Sequence, residues 1–454
     1  MIPVLTPEQM GAVDRSAPEP VEVLVQRAAG AVARVALDLL GGAYGRRVVV
    51  VAGPGNNGWD GRVAAELLAT RGVRVTVLDA LAAPAVLAPS DLVIDAAFGT
   101  GFRGEYTFPD TDGAPVLAVD IPSGVSGLDG TRSGRPAHAV ATVTFAALKP
   151  GLLLADGPDH CGHVEVADIG LDVSSASIHL VTDADVVAWV PERAADDHKW
   201  RHAVWLIAGS TDMPGAARLA AMSALRGGAG YLRLSSPGVE VPRAPIEAVS
   251  YPVAADGWSA QVLADTERFG ALAIGPGLGR ADTTAAEVRR VVAALDRPLV
   301  LDGDALGLLG TEVASVLADR PASTVLTPHD GEFAALCGHA PGPDRIGAVR
   351  ELAAATGATV LLKGPTTVVA EPAGDCLLIR AGDQRLATAG TGDVLTGLVA
   401  AHLAMGVAAP QAAAAAAYLH GRASQLGPPR PGAVRVAGAA RGVTRDRGAR
   451  RRTA

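Results

Sequence analysis

Residues 47–61 read RVVVVAGPGNNGWDG. A short unbroken apolar run that ends in glycines is a buried strand turning into a helix. The same alternation continues outward: a helix is predicted over 61–71, a strand over 73–79, and further buried strands over 91–96 and 115–120, which close at Asp95 and Asp120. Upstream, Met10, Val13, Leu24, Ala28, Val32, Val35 and Leu39 recur at helical spacing, so one helix is predicted over 7–40, stopped by Gly41-Gly42. Strands alternating with helices imply parallel βαβ units with ligands outside the carboxyl ends of the strands.

Gly53, Gly55 and Gly58, with Asp79 at the end of the next strand, literally satisfy the dinucleotide-binding pattern. That signal is weak alone, and Asn56, Asn57 and Asp60 add side chains where a simple dinucleotide turn needs bare backbone. Asn56 and Asn57 therefore disfavour a dehydrogenase. Asp95-Ala-Ala-Phe-Gly-Thr-Gly-Phe-Arg-Gly and Asp120-Ile-Pro-Ser-Gly-Val follow later strands and reach the same edge. Asn57, Asp95 and Ser123 would offer oxygens to a hard cation, although each residue singly also reads as a turn or cap.

The chain has 454 residues, 49% apolar and 19% charged, with a net charge of −8. Such a composition excludes disorder over most of its length and gives no support to nucleic acid as a partner. No apolar run is long enough for a bilayer, and the start lacks the pattern of a secretion signal. Cys161, Cys337 and Cys376 are far apart in sequence, without metal-site spacing. The expectation is a cytoplasmic protein without membrane contact. His160-Cys161-Gly162-His163 reads as a loop. The alternation loosens between about 172 and 199, where a run of charge and Pro191 mark a boundary. Domains are expected over 1–190 and 191–436, with a basic, disordered tail over 437–454.

The second half repeats the α/β alternation, with strands over 203–208, 272–275, 298–302, 324–327 and 359–363. Residues 387–399, ATAGTGDVLTGLV, open an Ala-rich helix. Gly390-Thr391-Gly392 lets successive amides converge beside a helix N-terminus, a place for phosphate charge. Asp393 stands there as a base for a hydroxyl attacking phosphorus; the alternative is an acid complementing the helix dipole. The loop holding Gly275, Gly277 and Gly279 can approach a ligand, and His329 can donate to one. Lys363-Gly364-Pro365-Thr366-Thr367 ends a strand with a cation and two hydroxyls suited to nucleotide phosphates.

Residues 5–172, with LTPEQM, GNNG-x-DG, D-x-x-FGTG, VDIPSGV and TFAALKPGL, resemble the NAD(P)H-hydrate epimerase domain. Residues 198–430 resemble the ADP-dependent NAD(P)H-hydrate dehydratase, a ribokinase-like domain. The implied fold is α/β throughout: a Rossmann-like parallel α/β sandwich followed by a ribokinase-like α/β domain. The resemblance implies repair of hydrated NADH and NADPH (NADHX and NADPHX), by epimerising the R and S forms and dehydrating the S form through phosphorylation of its C6 hydroxyl. By the same resemblance Asn56, Asn57, Gly58, Trp59, Asp60, Gly99, Thr100, Gly101, Phe102, Arg103, Gly104, Glu105 and Asp120 hold the hydrate in the first site, and Asn57, Asp95 and Ser123 hold K⁺. Asp120 and Lys149 are the acid/base candidates there, since epimerisation must move a proton to and from the hydroxyl. In the second site Gly277, His329 and Asp393 contact the hydrate; Lys363, Gly364, Pro365, Thr366, Thr367 and Gly392 contact ADP, the phosphoryl donor, with Mg²⁺. The expected assembly is a homo-oligomer.

The chain departs from the family pattern in places. Trp59 replaces the second glycine of GNNGGDG, where it would strain the backbone, block the pocket, or stack on the substrate. HKWRH, DGDAL and HDGE replace HK-G-x-x-G, DADAL and HPGE. All 39 basic residues but Lys149, Lys199 and Lys363 are arginine, and these lysines fall where the two families place Lys. Two alternatives stay open: a dehydratase carrying a silent dinucleotide-binding module, and a ribokinase-like small-molecule kinase.

Overall fold

A computed structural model describes residues 1–240, 242–426 and 432–436; the expected tail over 437–454 lies outside the described residues. The chain divides into two compact units, residues 2–178 and a second unit from His179 onward that also takes Met1. The division falls earlier than 190/191. The short helix Asp183–Trp189 belongs with the second unit because Val181 and Val186 are buried in that unit's core.

The first unit opens with two helices where one was expected, α1 (Pro7–Ser16) and α2 (Val21–Leu40). Pro18 and Pro20 cause the break: each removes an amide donor and disfavours helical geometry in the residue before it. Thr6 caps α1 by a capping box with Gln9. β1 (Arg47–Ala52) leads through Gly53-Pro54-Gly55 into α3 (Asn56–Thr70), so the helix starts five residues before the expected Gly61. β2 (Arg74–Asp79), β3 (Leu92–Ala96), β4 (Val116–Val119), β5 (Ala141–Phe145) and β6 (His163–Ala167) complete a six-stranded sheet in the order β2-β1-β3-β4-β5-β6, parallel throughout. Alternate valines of β1 enter opposite cores: Val48 and Val50 join the layer of α2 and α3, Val49 and Val51 the layer of Tyr106 and Phe108. A sheet covered on both faces explains why β1 is an unbroken apolar run.

In the second unit, β7 (Ala203–Ile207), β8 (Tyr231–Ser235), β9 (Val249–Ser250), β10 (Ala271–Ile274), β11 (Leu299–Leu301), β12 (Thr324–Leu326) and β13 (Thr359–Leu362) run parallel in the order β13-β12-β11-β10-β7-β8-β9. β14 (Thr367–Ala370) and β15 (Cys376–Ile379) extend the β13 side antiparallel. The core is built on α4 (Pro214–Gly227), α7 (Thr391–Ala404) and α8 (Ala409–Gln425), all rich in alanine. Small residues let these helices approach closely: a Cβ on Gly397 would lie 2.1 Å from the carbonyl oxygen of Ala220 on α4. Between them in sequence lie α5 (Asp330–Cys337) and α6 (Arg345–Thr356). No helix among the described residues is long and apolar enough to cross a membrane.

Candidate active sites

Parallel strands bring the loops after β1, β3, β4 and β5 to one edge of the first sheet. There they enclose a cavity of about 530 Å³ together with residues of α1 and α2. Asn56, Asn57, Asp60, Gly99, Thr100, Gly101, Phe102, Asp120 and Lys149 line it, and so do Asp14, Glu19 and Phe98. Phe98 stacks on Phe102 at 4.2 Å between ring centroids and meets Tyr106 edge-on at 4.8 Å, forming an aromatic wall.

Gly58, Trp59, Arg103, Gly104 and Glu105 do not line this cavity. Gly58 instead seats α3 on the preceding loop, since a Cβ there would lie 1.9 Å from the Gly53 carbonyl oxygen. Arg103 turns back on its own loop, donating to the Phe102 carbonyl at 2.9 Å. Trp59 is 37% exposed in the first turn of α3, and its φ is not positive. The replaced glycine is thus an ordinary helical position outside the cavity, and neither strain nor blockage follows from it.

Asp120 sits just past β4 in left-handed backbone, φ 65°. Its carboxylate pairs with the Lys149 ammonium at 2.6 Å and accepts from the Thr144 hydroxyl at 3.0 Å. Lys149 is 1% exposed, and its other donors reach Thr144 Oγ1 at 2.9 Å and the Phe145 carbonyl at 3.0 Å. Asp60 is buried, and burial, followed by the negative charges of Asp120 and Asp14, pushes its carboxyl up to about 8.

Asp95 and Ser123 meet: Ser123 donates its backbone amide at 2.8 Å and its hydroxyl at 2.6 Å to the Asp95 carboxylate, and the Ala97 amide adds a bond at 3.2 Å. Burial raises Asp95 to about 6 despite these donors. Asn57 makes no hydrogen bond to either residue; its carboxamide lies against Gly99, and its buried Nδ2 has no partner.

The second unit assembles its site by the same device. The ends of β10, β11, β12 and β13 carry Gly277, Asp302, Thr327 with His329, and Lys363 to one edge, where α7 begins at Thr391. Asp302, 2% exposed, is the hub: it accepts from Lys363 Nζ at 2.8 Å, Thr327 Oγ1 at 2.8 Å and Thr396 Oγ1 at 2.6 Å. Lys363 also meets Glu332 at 3.5 Å. Desolvation works against its charge, but these two carboxylates outweigh it and raise Lys363. A Cβ on Gly392 would stand 3.4 Å from the Lys363 nitrogen, so ammonium and helix N-terminus face one place. Beside them, burial and then the charges of Asp302, Asp304 and Glu332 push Asp393 up to about 7, against the opposing Lys363. That value suits a base working at neutral pH.

His329 caps α5. Its Nδ1 accepts from the amides of Gly331 at 3.0 Å and Glu332 at 3.2 Å, which leaves the proton on Nε2, 3.5 Å from Glu332 Oε1 in a side chain that is otherwise largely exposed. Gly277 lies against Met213 and Ala216 at the start of α4. Gly364 lies beside the Arg345 guanidinium, which donates to the Lys363 carbonyl at 2.9 Å and grips Asp330 through two bonds. Pro365 is exposed, Thr366 is buried, and Thr367 opens β14. Asp302, Glu332, Arg345 and, in the first unit, Asp14 join these sites without being among the expected site residues. Asp302, the first acid of DGDAL and the residue directly after β11, and Glu332, which closes HDGE in the first turn of α5, were the available signals.

The third lysine, Lys199, lies over the Trp200 and Tyr231 rings at 5.8 and 6.0 Å, and takes no part in either cluster. His160 stacks on His138 and bonds the Ala137 carbonyl. No group of three His, Cys, Asp or Glu placed to hold a metal occurs among the described residues.

Comparison with known proteins accounts for both halves. A family model described as NAD(P)H-hydrate dehydratase matches residues 204–439, and one described as YjeF-related protein N-terminus matches 21–85 and 79–151. The bifunctional NAD(P)H-hydrate repair enzyme of Mycobacterium leprae is 39% identical over 444 residues, 90% of each chain. Among solved structures, the ADP/ATP-dependent NAD(P)H-hydrate dehydratase of Bacillus subtilis, co-crystallised with ATP and Mg²⁺, is 33% identical with a TM-score of 0.51, covering 59% of this chain and 97% of its own. A ribokinase-like superfamily protein of Enterococcus faecalis shares the fold at 21% identity and TM-score 0.51, covering 60% of this chain and 96% of its own. The second unit is therefore ribokinase-like, the first is a Rossmann-like domain, and the chain belongs to the family of bifunctional NAD(P)H-hydrate repair enzymes.

Proposed function

We propose that this chain repairs hydrated NADH and NADPH, interconverting the R and S hydrates in the first unit and dehydrating the S hydrate with ADP in the second. The observation that carries the reading is the meeting of Asp393, Lys363 and the N-terminus of α7 beside the buried Asp302 hub.

In the second unit Gly277 and His329 hold the hydrate, with Nε2–H of His329 as donor. Asp393 takes the proton of the C6 hydroxyl as its oxygen attacks the terminal phosphorus of ADP; the O–P bond forms, the bridging P–O bond breaks, and AMP leaves. Lys363, Gly364, Pro365, Thr366, Thr367 and the Gly392 amide steady the nucleotide, where preorganised positive charge meets the charge that develops in transfer. Mg²⁺ enters on the nucleotide phosphates, its usual mode of binding. Phosphate then departs from C6 and a proton from C5, restoring the dihydropyridine.

In the first unit the cavity holds the nicotinamide hydrate against Phe98 and Phe102, with Asp120 and Lys149 at the reacting carbon. Asp95, Ser123 and Asn57 offer carboxylate, hydroxyl and carboxamide oxygens that fit K⁺, and the buried Asp95 charge is met only by neutral donors. K⁺ would supply the missing positive charge. Trp59, lying off the cavity, favours a working epimerase over a silent module. The three free cysteines fit a reducing, cytoplasmic setting.

The dehydratase half is tested by giving the full chain purified S hydrate and ADP. Absorbance at 340 nm should rise with equimolar AMP and phosphate; a rise without AMP, or none with either ADP or ATP, refutes it.

A further inference from the structure

Four carboxylates border the first cavity, Asp14, Glu19, Asp60 and Asp120; Glu19 meets the Arg27 guanidinium at 3.3 Å, and a single ammonium, that of Lys149, answers the other three. Lys149 is fully engaged: one contact to Asp120 at 2.6 Å, one to Thr144 Oγ1 and one to the Phe145 carbonyl. Asp120 is thereby held in an ion pair, with the Thr144 hydroxyl as a second donor. Asp60 is in the opposite position. It is 8% exposed on the second turn of α3, lines the cavity, and makes no hydrogen bond or ion pair among the described residues. The charges that face it are both negative, Asp14 from α1 and Asp120 from the end of β4. A buried carboxyl with no cation and no donor takes up a proton instead of standing ionised. Its O–H then has no acceptor in the protein and borders the space a ligand would fill.

We infer that Asp60 is the catalytic acid of epimerisation, giving its proton to the departing C6 hydroxyl, while ionised Asp120, braced by Lys149 and Thr144, receives the proton of the returning water. Two carboxyls whose surroundings drive their protonation apart divide the acid and base roles between them. The C6–O bond breaks with its electron pair on oxygen, which takes the Asp60 proton and leaves as water. The ring nitrogen lone pair stabilises the cation at C6. Water adds to the opposite face, a new C6–O bond forms, and its surplus proton passes to Asp120. One proton has moved from Asp60 to Asp120, and its return through cavity water resets the site. Lys149, with every donor engaged, acts as a positioning residue for Asp120, which alters the pairing of Asp120 and Lys149 as the acid and base.

This inference rests on the first unit being an epimerase, and the experiment separates the two. Full-length D60N and D60E are given pure R hydrate with ADP, so that each epimerisation event is read at 340 nm after dehydration in the other half. Asparagine keeps the shape and the neutral donor of protonated Asp60 but cannot transfer a proton. D60N should lose about 10²–10⁴-fold in the rate of R conversion, bind R hydrate within about threefold of wild type by calorimetry, and dehydrate S hydrate at the wild-type rate, which reports correct folding. D60E, which keeps a transferable proton, should recover part of the loss. D60N converting R hydrate as fast as wild type, or a rise in Kd that accounts for the whole loss, overturns the acid role. A wild-type chain that does not convert R hydrate above the spontaneous rate overturns the epimerase reading itself.

Discussion

The two units use one architectural device for opposite electrostatic ends. Each gathers its polar residues at the carboxyl ends of parallel strands, and each pairs one lysine with an aspartate, Lys149 with the half-buried Asp120 at 2.6 Å and Lys363 with the buried Asp302 at 2.8 Å. In the first unit the lysine is sealed, all donors engaged, within an aromatic-walled cavity rich in carboxyls. Such a site holds and moves protons. In the second the lysine keeps part of its surface and shares its outlook with the N-terminus of α7, so the site meets phosphate charge. What differs is what borders the pair: the unpartnered carboxyl of Asp60 across the cavity in one case, a helix N-terminus in the other.

The sharpest way to break the comparison is to disable one site and read both. D393N removes the base of the second site and should lower S dehydration by at least about 10²–10⁴-fold while R/S interconversion continues; loss of both activities would show that the units do not work independently. Lys149→Met should cost about 3–5 kcal/mol of stability in the first unit, because it leaves Asp120 charged and unpaired. A thermal melt should show that unit unfolding earlier, with S dehydration retained below the new transition. Unchanged melting would mean that Asp120 is not held as an ion pair.

A subtler effect concerns pH. Asp393 must be ionised to act, and its carboxyl is pushed up to about 7, first by burial and then by Asp302. Dehydration should therefore rise as pH increases through about 7 and level off above it. In D302N a raising charge is gone and Lys363 is released, both of which favour the ionised form, so the acid limb should move to lower pH even as kcat falls. A limb that stays in place would reassign the titrating group. The smallest expected effect is that of W59G. The side chain lies outside the cavity, so epimerisation should stay within about twofold, with about 0.5 kcal/mol lost to the lower helix propensity of glycine relative to tryptophan. A large gain in epimerisation would restore Trp59 as an obstruction.

The architecture was legible because parallel strands are buried on both faces and read as runs such as 48–51, and because those runs end in glycines and acids that a parallel sheet must bring to one edge. Helix boundaries were less so: the proline break at 18 and 20 was masked by the helical spacing on either side, and the early start of α3 at Asn56 was hidden by glycines that serve close packing. Trp59 shows the same limit, since only the rotational phase of α3 decides that position 59 faces away while 56, 57 and 60 face the cavity. Asp302 carried a signal in DGDAL, but its role as a hub lies in partners far along the chain, Lys363 and Thr396; Asp14 and Arg345 could not be singled out because their meaning lies wholly in such partners, the Asp60–Asp120 cavity for Asp14, Asp330 and the Lys363 carbonyl for Arg345.

The most direct measurement of the central claim is recovery of reduced cofactor at 340 nm from an equilibrated mixture of R and S hydrates with the full chain and ADP. Complete recovery in a single phase faster than unaided interconversion of the isomers is the expected result. A fast phase that stops at the S fraction, followed only by the slow spontaneous rate, would contradict it by leaving the first unit without epimerase activity.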